Sequence, residues 1–189
     1  AEPSIKAKLN DLHATFLEPS AGEGAFLTEI LDQKLNYVDQ ISHENSWCDN
    51  AMWALMSIYA IELLTDNIIV ARDLMMQIVQ AHYQAFFDKK LTIRTNFFKS
   101  AKFVIKTNVV QGNSLTYLNN EGSPITFSDW NPADKNMVKR EEYTYRSLFD
   151  NEADDVTQGQ LSLFDLDDDQ EEKGYKVCPV TKIYKEEKE

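Results

Sequence analysis

The sequence predicts an α/β domain on a mostly parallel sheet, followed by an acidic C-terminal segment. Apolar runs ending in a carboxylate, at residues 14–18 and 57–62, are each followed by a turn and then by apolar residues at helical spacing. Two strand–turn–helix units in series imply parallel pairing. The 189 residues are 43% hydrophobic and 11% aromatic, enough for one domain with a full core. The formal net charge of −12 is unevenly placed, with 13 basic against 16 acidic side chains in residues 1–140 and 6 against 15 in residues 141–189. This imbalance disfavours a simple basic nucleic-acid binder or a cationic membrane-surface protein. The expected division is a domain over 1–149 and an acidic, partly mobile segment over 150–189.

Taken in order, Ala14-Thr15-Phe16-Leu17-Glu18 is an apolar run stopped by Pro19, the pattern of a buried strand entering a loop. After Gly22-Glu23-Gly24, Phe26, Leu27, Ile30, Leu31 and Leu35 recur at helical intervals. Residues 45–56 form a second helical stretch, and Ser57 to Glu62 a second strand. Thr65 or Asp66 is a plausible N-cap for a long helix reaching about Phe87. Residues 89–106 carry Lys89, Lys90, Arg94, Lys99, Lys102 and Lys106 without an acid, interleaved by Phe97, Phe98 and Phe103. That stretch reads either as a phosphate-binding surface or as a solvated helix face with its phenylalanines turned inward. Asn108 to Ser114 reads as a third strand and turn; Ile125–Phe127 and Glu142–Phe149 read as short strands or a turn of helix.

No window approaches 18 uninterrupted apolar residues and the start lacks signal-peptide features, so a cytoplasmic protein without a membrane partner is expected. Cys48 and Cys178 have no CxxC spacing and read as free thiols, and His13, His43 and His82 have no metal-ligand spacing, so no metal is assigned. Trp47, Trp53, Met52 and Met56 read as core or as a partner-facing surface.

The main chemical signal is Phe16-Leu17-Glu18-Pro19-Ser20-Ala21-Gly22-Glu23-Gly24-Ala25-Phe26-Leu27. Its glycines let backbone amides approach a ligand at a helix N-terminus. Glu62 ends the next strand, where a carboxylate can accept two hydrogen bonds from a ribose diol. A tight turn without a ligand is the alternative reading. Leu17 to Leu27, then Tyr59-Ala60-Ile61-Glu62-Leu63, then Val110-Gln111-Gly112-Asn113-Ser114-Leu115 resembles, in order, the S-adenosylmethionine-binding half of the N6-adenine DNA methyltransferases of restriction–modification systems, over roughly residues 12–118. The resemblance implies a three-layer, Rossmann-like methyltransferase domain that binds S-adenosylmethionine. It implies that Glu18 and the Gly22–Gly24 loop, with Pro19 and Ala21 beside them, face the methionine part. Glu62 would bind the ribose hydroxyls and Leu63 would lie beside the adenine. Asn113 stands where the family usually has an Asp contacting the adenine amino group; an amide can still donate and accept there.

The family's catalytic Asn/Asp-Pro-Pro-Tyr/Phe loop, which holds a flipped adenine, is not found. The nearest string is Trp130-Asn131-Pro132-Ala133, and the family's upstream Phe/Tyr-Thr-Pro segment has no counterpart. No catalytic residue is therefore assigned, and the chain reads as truncated relative to the complete enzyme: a fragment, one half of a split enzyme, or a degenerate relative. The expected function is an S-adenosylmethionine-dependent DNA adenine methyltransferase, or its cofactor-binding part, with DNA as partner. The alternatives are a non-catalytic scaffold module and a methyltransferase acting on another substrate. Gln160-Leu161-Ser162-Leu163-Phe164 is similar to the peptide by which bacterial proteins bind the replication sliding clamp; folding back onto this domain is its other reading. Cys178 to Tyr184 reads as a packed segment. Gly24→Asp is expected to abolish cofactor binding while sparing the fold.

Overall fold

The computed structural model describes residues 4–134, 136–150 and 174–188, together with the backbone alone at the end of the helix Ser147–Asp150. After a short helix α1 (Ile5–Leu9), the chain runs β1 (Phe16–Glu18), α2 (Ala25–Ile41), α3 (Trp47–Met56), β2 (Ile58–Glu62), α4 (Thr65–Phe87), α5 (Asn96–Asn108) and β3 (Val109–Gln111). The three strands form a parallel sheet in the order β1-β2-β3, with Phe16 opposite Ile58 and Ala60 opposite Val109. Parallel neighbours require long crossovers, which α2 with α3 and α4 with α5 supply. Every residue of β2 is buried, as a central strand covered on both faces must be.

The helices follow their apolar spacing. Leu27, Ile30, Leu31, Leu35 and Val38 bury one stripe of α2, while Trp47, Met52 and Met56 of α3 are core residues. Trp47 is fully buried with the rings of Tyr83, Phe86, Phe87 and Phe97 around it at centroid distances of 5.7–5.8 Å. On α5, Phe97 is buried and Phe98 and Phe103 pack against the core, whereas Lys99, Lys102 and Lys106 are exposed. Thr95 caps that helix by accepting from the Phe98 N–H. The inward-packed reading of the basic stretch therefore holds for its phenylalanines. Asn108, expected in the third strand, closes α5 instead. Its amide donates to the Leu55 and Met56 carbonyls and accepts from the Trp130 indole N–H.

Beyond β3 the fold departs from expectation. β4 (Thr126–Pro132), β5 (Met137–Thr144) and β6 (Cys178–Pro179) form a separate antiparallel sheet, with a helical turn α6 (Ser147–Asp150) and a 3₁₀ helix (Val180–Lys185) beside them. Instead of one mostly parallel sheet, the described residues form two of three strands, one parallel and one antiparallel. The second sheet was hidden by its inward residues. Arg140 takes an inward place on β5, only 8% exposed, so the usual apolar alternation is broken. Its guanidinium donates to Ser128 Oγ (2.7 Å), Glu142 (2.8 Å) and Glu186, and lies over the rings of Phe103, Trp130 and Tyr175. Glu186, with buried Val180 and Ile183, holds residues 174–188 onto β5 and α5, in keeping with the packed segment expected at Cys178–Tyr184. The two sheets are joined by the Tyr59 hydroxyl, which donates to the Ser128 carbonyl (2.9 Å). The Gln160–Phe164 peptide lies outside the described residues.

Candidate functional site at the ends of the parallel strands

The glycine turn and the second acidic strand end meet at the carboxyl edge of the parallel sheet, the edge where open α/β sheets place their ligands. Ala21 N–H donates to the Ile61 carbonyl (3.0 Å), and Gly22 N–H donates to Glu62 Oε2 (2.7 Å). On its other oxygen Glu62 accepts from Leu64 N–H (2.9 Å) and from the Asn67 amide (3.2 Å). Gly112 N–H donates to the Glu62 carbonyl, and the Gln111 amide reaches the Leu63 carbonyl and Thr65 Oγ1. The loops after β1, β2 and β3 are thus stitched to one another through residues 61–65. Glu62 is 6% exposed, and burial alone would push its carboxyl up. The N–H groups of Leu64 and Gly22, the Asn67 amide and the Leu63 N–H outweigh that and hold it below its ordinary value.

Both glycines are left-handed, Gly22 at φ +55° and Gly24 at φ +87°, a region costly for residues with a Cβ. Their surroundings differ. A Cβ on Gly22 would meet nothing within 4 Å, whereas one on Gly24 would stand 2.7 Å from Ala71 Cβ and 2.9 Å from its Cα. Gly24, the N-cap of α2, lies against Ala71 of α4, so Gly24→Asp would disturb the fold itself. The expectation that this variant spares the fold is corrected. No N-cap side chain bonds the first N–H groups of α2. Exposed apolar side chains stand on the same strand-end loops and on the first turn of α2: Phe26 (52%), Leu63 (51%), Leu64 (57%) and Leu115 (88%).

The other predicted residues serve their own turns. Glu18 is half-buried at the end of β1 and accepts from Ser20 N–H (3.0 Å), with Pro19 exposed between them. Asn113 uses its side-chain oxygen to accept from Leu115 N–H (2.9 Å) and its N–H to bond the Leu118 carbonyl, an Asx turn that organises the loop after β3. Trp130, Asn131 and Pro132 belong to β4, away from this edge, and line a cleft near the start of β2. Sequence reasoning gave no role to Gln111, which stood in the third strand and in the Val110–Leu115 string. It also missed Lys34, a fully buried lysine inside an apolar helix stripe, whose ammonium donates to the Asp11 (2.7 Å) and Ala14 (2.8 Å) carbonyls and whose pKa burial lowers to about 8.

Among the described residues no helix is long and apolar enough to cross a membrane, and no group of three or more His, Cys, Asp or Glu side chains is placed to hold a metal ion. Cys48 and Cys178 are free. His82 lies between two carboxylates, with Nδ1 2.7 Å from Asp39 and Nε2 3.1 Å from Asp32, a link between α2 and α4. The protein is of mixed α/β class, with a three-stranded parallel sheet whose glycine turn and acidic strand end converge. No family model, curated protein or solved structure matches the chain.

Proposed function

We propose that the carboxyl edge of the parallel sheet is an S-adenosylmethionine site and that the chain is the cofactor-binding part of a DNA adenine methyltransferase with the Rossmann-like fold of that family. The observation that carries this reading is the hydrogen bond between Gly22 N–H and Glu62, residues forty positions apart that the family resemblance assigns to one ligand. A carboxylate has about four acceptor positions, and the N–H groups of Gly22, Leu63 and Leu64 and the Asn67 amide already address Glu62, so a ribose hydroxyl would bind it by displacing the Asn67 amide. The uncapped start of α2 suits the methionine carboxylate, and exposed Leu63 supplies an apolar surface for an adenine ring.

Methyl transfer to an amine is in-line displacement at the sulfonium methyl, so the protein's task is to position donor and amine and to support the amine electrostatically. No described residue at this edge is assigned to the amine, and DNA with a second polypeptide or a further segment would complete the reaction. The test is calorimetric titration with S-adenosylmethionine, using Leu63→Asp as the control because Leu63 is exposed and its replacement leaves the loop bonds intact. Saturable one-to-one binding, weakened at least about tenfold in the variant, is the expected result. Absence of binding by the unmodified chain overturns the proposal. It would leave the second reading, a non-catalytic scaffold, which the prior commitment of both Glu62 oxygens to protein donors favours.

A further inference from the structure

A cleft of about 220 Å³ lies between the segment entering β1, the end of α3 and β4. Trp53, Met56 and Trp130 give it apolar walls, and among the described residues Asp129 is the only acid lining it. It is separate from the glycine edge. Tyr59, which lines it, is three residues before Glu62, about 10 Å along the strand and on the opposite face of the sheet. A methyl donor held at the glycine edge could not come within the ~3–3.5 Å that transfer to a group in this cleft requires.

We propose that this cleft binds a small organic cation, an amidinium or ammonium on a flat apolar body, with Asp129 as its counter-ion and the two tryptophans as its walls. Indole rings attract cations through their quadrupole and accept flat apolar groups. Asp129 is preset in direction: the Asn131 amide donates to its Oδ2 (2.9 Å) and also to Glu141 Oε2 (3.2 Å). Of the neighbouring cations, Lys139 pairs with Glu141 (3.2 Å), and Arg140, whose guanidinium lies over the Trp130 ring, pairs with Glu142 and Glu186. The polar end of the cleft is therefore an oriented carboxylate with a second carboxylate behind it. Tyr59 and Tyr143, the phenols that face Asp129, are held protonated by burial and add no positive charge. Burial, reinforced by Glu141 against the hydrogen bonds from Asn131 and the Trp130 N–H, pushes Asp129 up to about 6, so cation binding would take up its ionised form and release a proton below that pH. The volume falls below the ~300 Å³ at which drug-sized pockets begin, which suits a single ring or one side chain.

Titration of the full chain with benzamidinium, its neutral isostere benzamide and acetylarginine amide, read by tryptophan fluorescence and calorimetry, tests this. Saturable one-to-one binding of benzamidinium, at least about tenfold tighter than benzamide, is expected, with Asp129→Asn removing that preference. The affinity should also fall up to about tenfold per pH unit below pH 6, as Asp129 protonates. His13, the lining residue able to carry a positive charge, is removed as a contributor by repeating the pH series in His13→Gln. That series needs no change at Asp129 and stands even if Asp129→Asn fails to fold. Tighter binding of acetylarginine amide would assign the cation to a protein side chain, and tighter binding of benzamidinium to a free small molecule. Equal affinity for benzamidinium and benzamide, an unaltered preference in Asp129→Asn, or no saturable binding of either cation would overturn the proposal.

Discussion

Glu62, at the glycine edge, and Asp129, on the antiparallel sheet, are both carboxylates withdrawn from water, yet their environments push them in opposite directions. Glu62 is met by the N–H groups of Leu64, Gly22 and Leu63 and by the Asn67 amide, which hold its carboxyl below the ordinary value despite burial. Asp129 accepts from the Asn131 amide, shares that donor with Glu141, and is pushed up to about 6. Burial alone does not set the character of a buried acid; the number of donors supplied with it does. One acid closes a loop, while the other faces a cleft with charge to spare.

Several changes would break or sharpen that contrast. The largest effect is expected at Gly24. Gly24→Ala combines a left-handed backbone with a Cβ driven against Ala71, and should destabilise the chain by about 2–5 kcal/mol in urea unfolding. Gly22→Ala, where the space is open, should cost no more than about 1–2 kcal/mol. Similar losses for the two would mean that α2 and α4 do not approach as described.

Glu62→Gln is next, at about 2–3 kcal/mol near pH 7, because it removes charge-assisted bonds to two loop N–H groups. Since the folded carboxyl is depressed, its contribution is present above the unfolded carboxylate value of about 4.3 and is lost as the pH falls through the lower folded value. The deficit of the variant should therefore shrink below about pH 4.

Lys34 supplies a third check. Its folded pKa of about 8 lies below the ordinary 10.5, so between these values the unfolded chain binds more protons and stability rises with pH. Relative to Lys34→Met, the unmodified chain should gain about 2 kcal/mol from pH 7 to 9.5. A flat difference would show that the ammonium is not buried.

The smallest effect, and the sharpest in sign, belongs to Asp129→Asn. A raised folded pKa gives stability that is complete below the unfolded value of about 3.9 and lost as the pH rises through about 6. The variant should match the parent near pH 4 and exceed it by about 1 kcal/mol at pH 7, the figure being discounted for partial exposure. Parallel behaviour of Glu62→Gln and Asp129→Asn at neutral pH would erase the distinction between the two regions.

Much of the parallel half was legible because its signals are local. Helical spacing from Phe26 to Leu35 and the apolar run ending at Glu62 each specify an element within a few residues, and the structure places those elements within one or two positions of the reading. The convergence of Gly22 and Glu62 followed from their places after two successive strands read as parallel neighbours, whereas its form, a carboxylate clasping a loop amide, did not. The antiparallel half was obscured because β5 turns Arg140 inward, so that neutralisation by Glu142 and Glu186, one of them in the segment 174–188, does the work that apolar residues usually signal. Asp129 was overlooked for the same reason: its character depends on Asn131 and Glu141 across the hairpin.

By itself the sequence determined the order of strands, turns and helices from β1 to α4, and the strand and turn around β3, since side-chain periodicity and glycine conformation act over a single turn or strand. Only the tertiary structure decided that Gly24 must fit against Ala71, that Glu62 faces protein amides, and that a second sheet sets Asp129 in the lining of an aromatic cleft. Those features depend on contacts between residues distant in the chain. Their energies come from packing and from a desolvated charge meeting its donors, and neither is set until the crossovers bring the partners together.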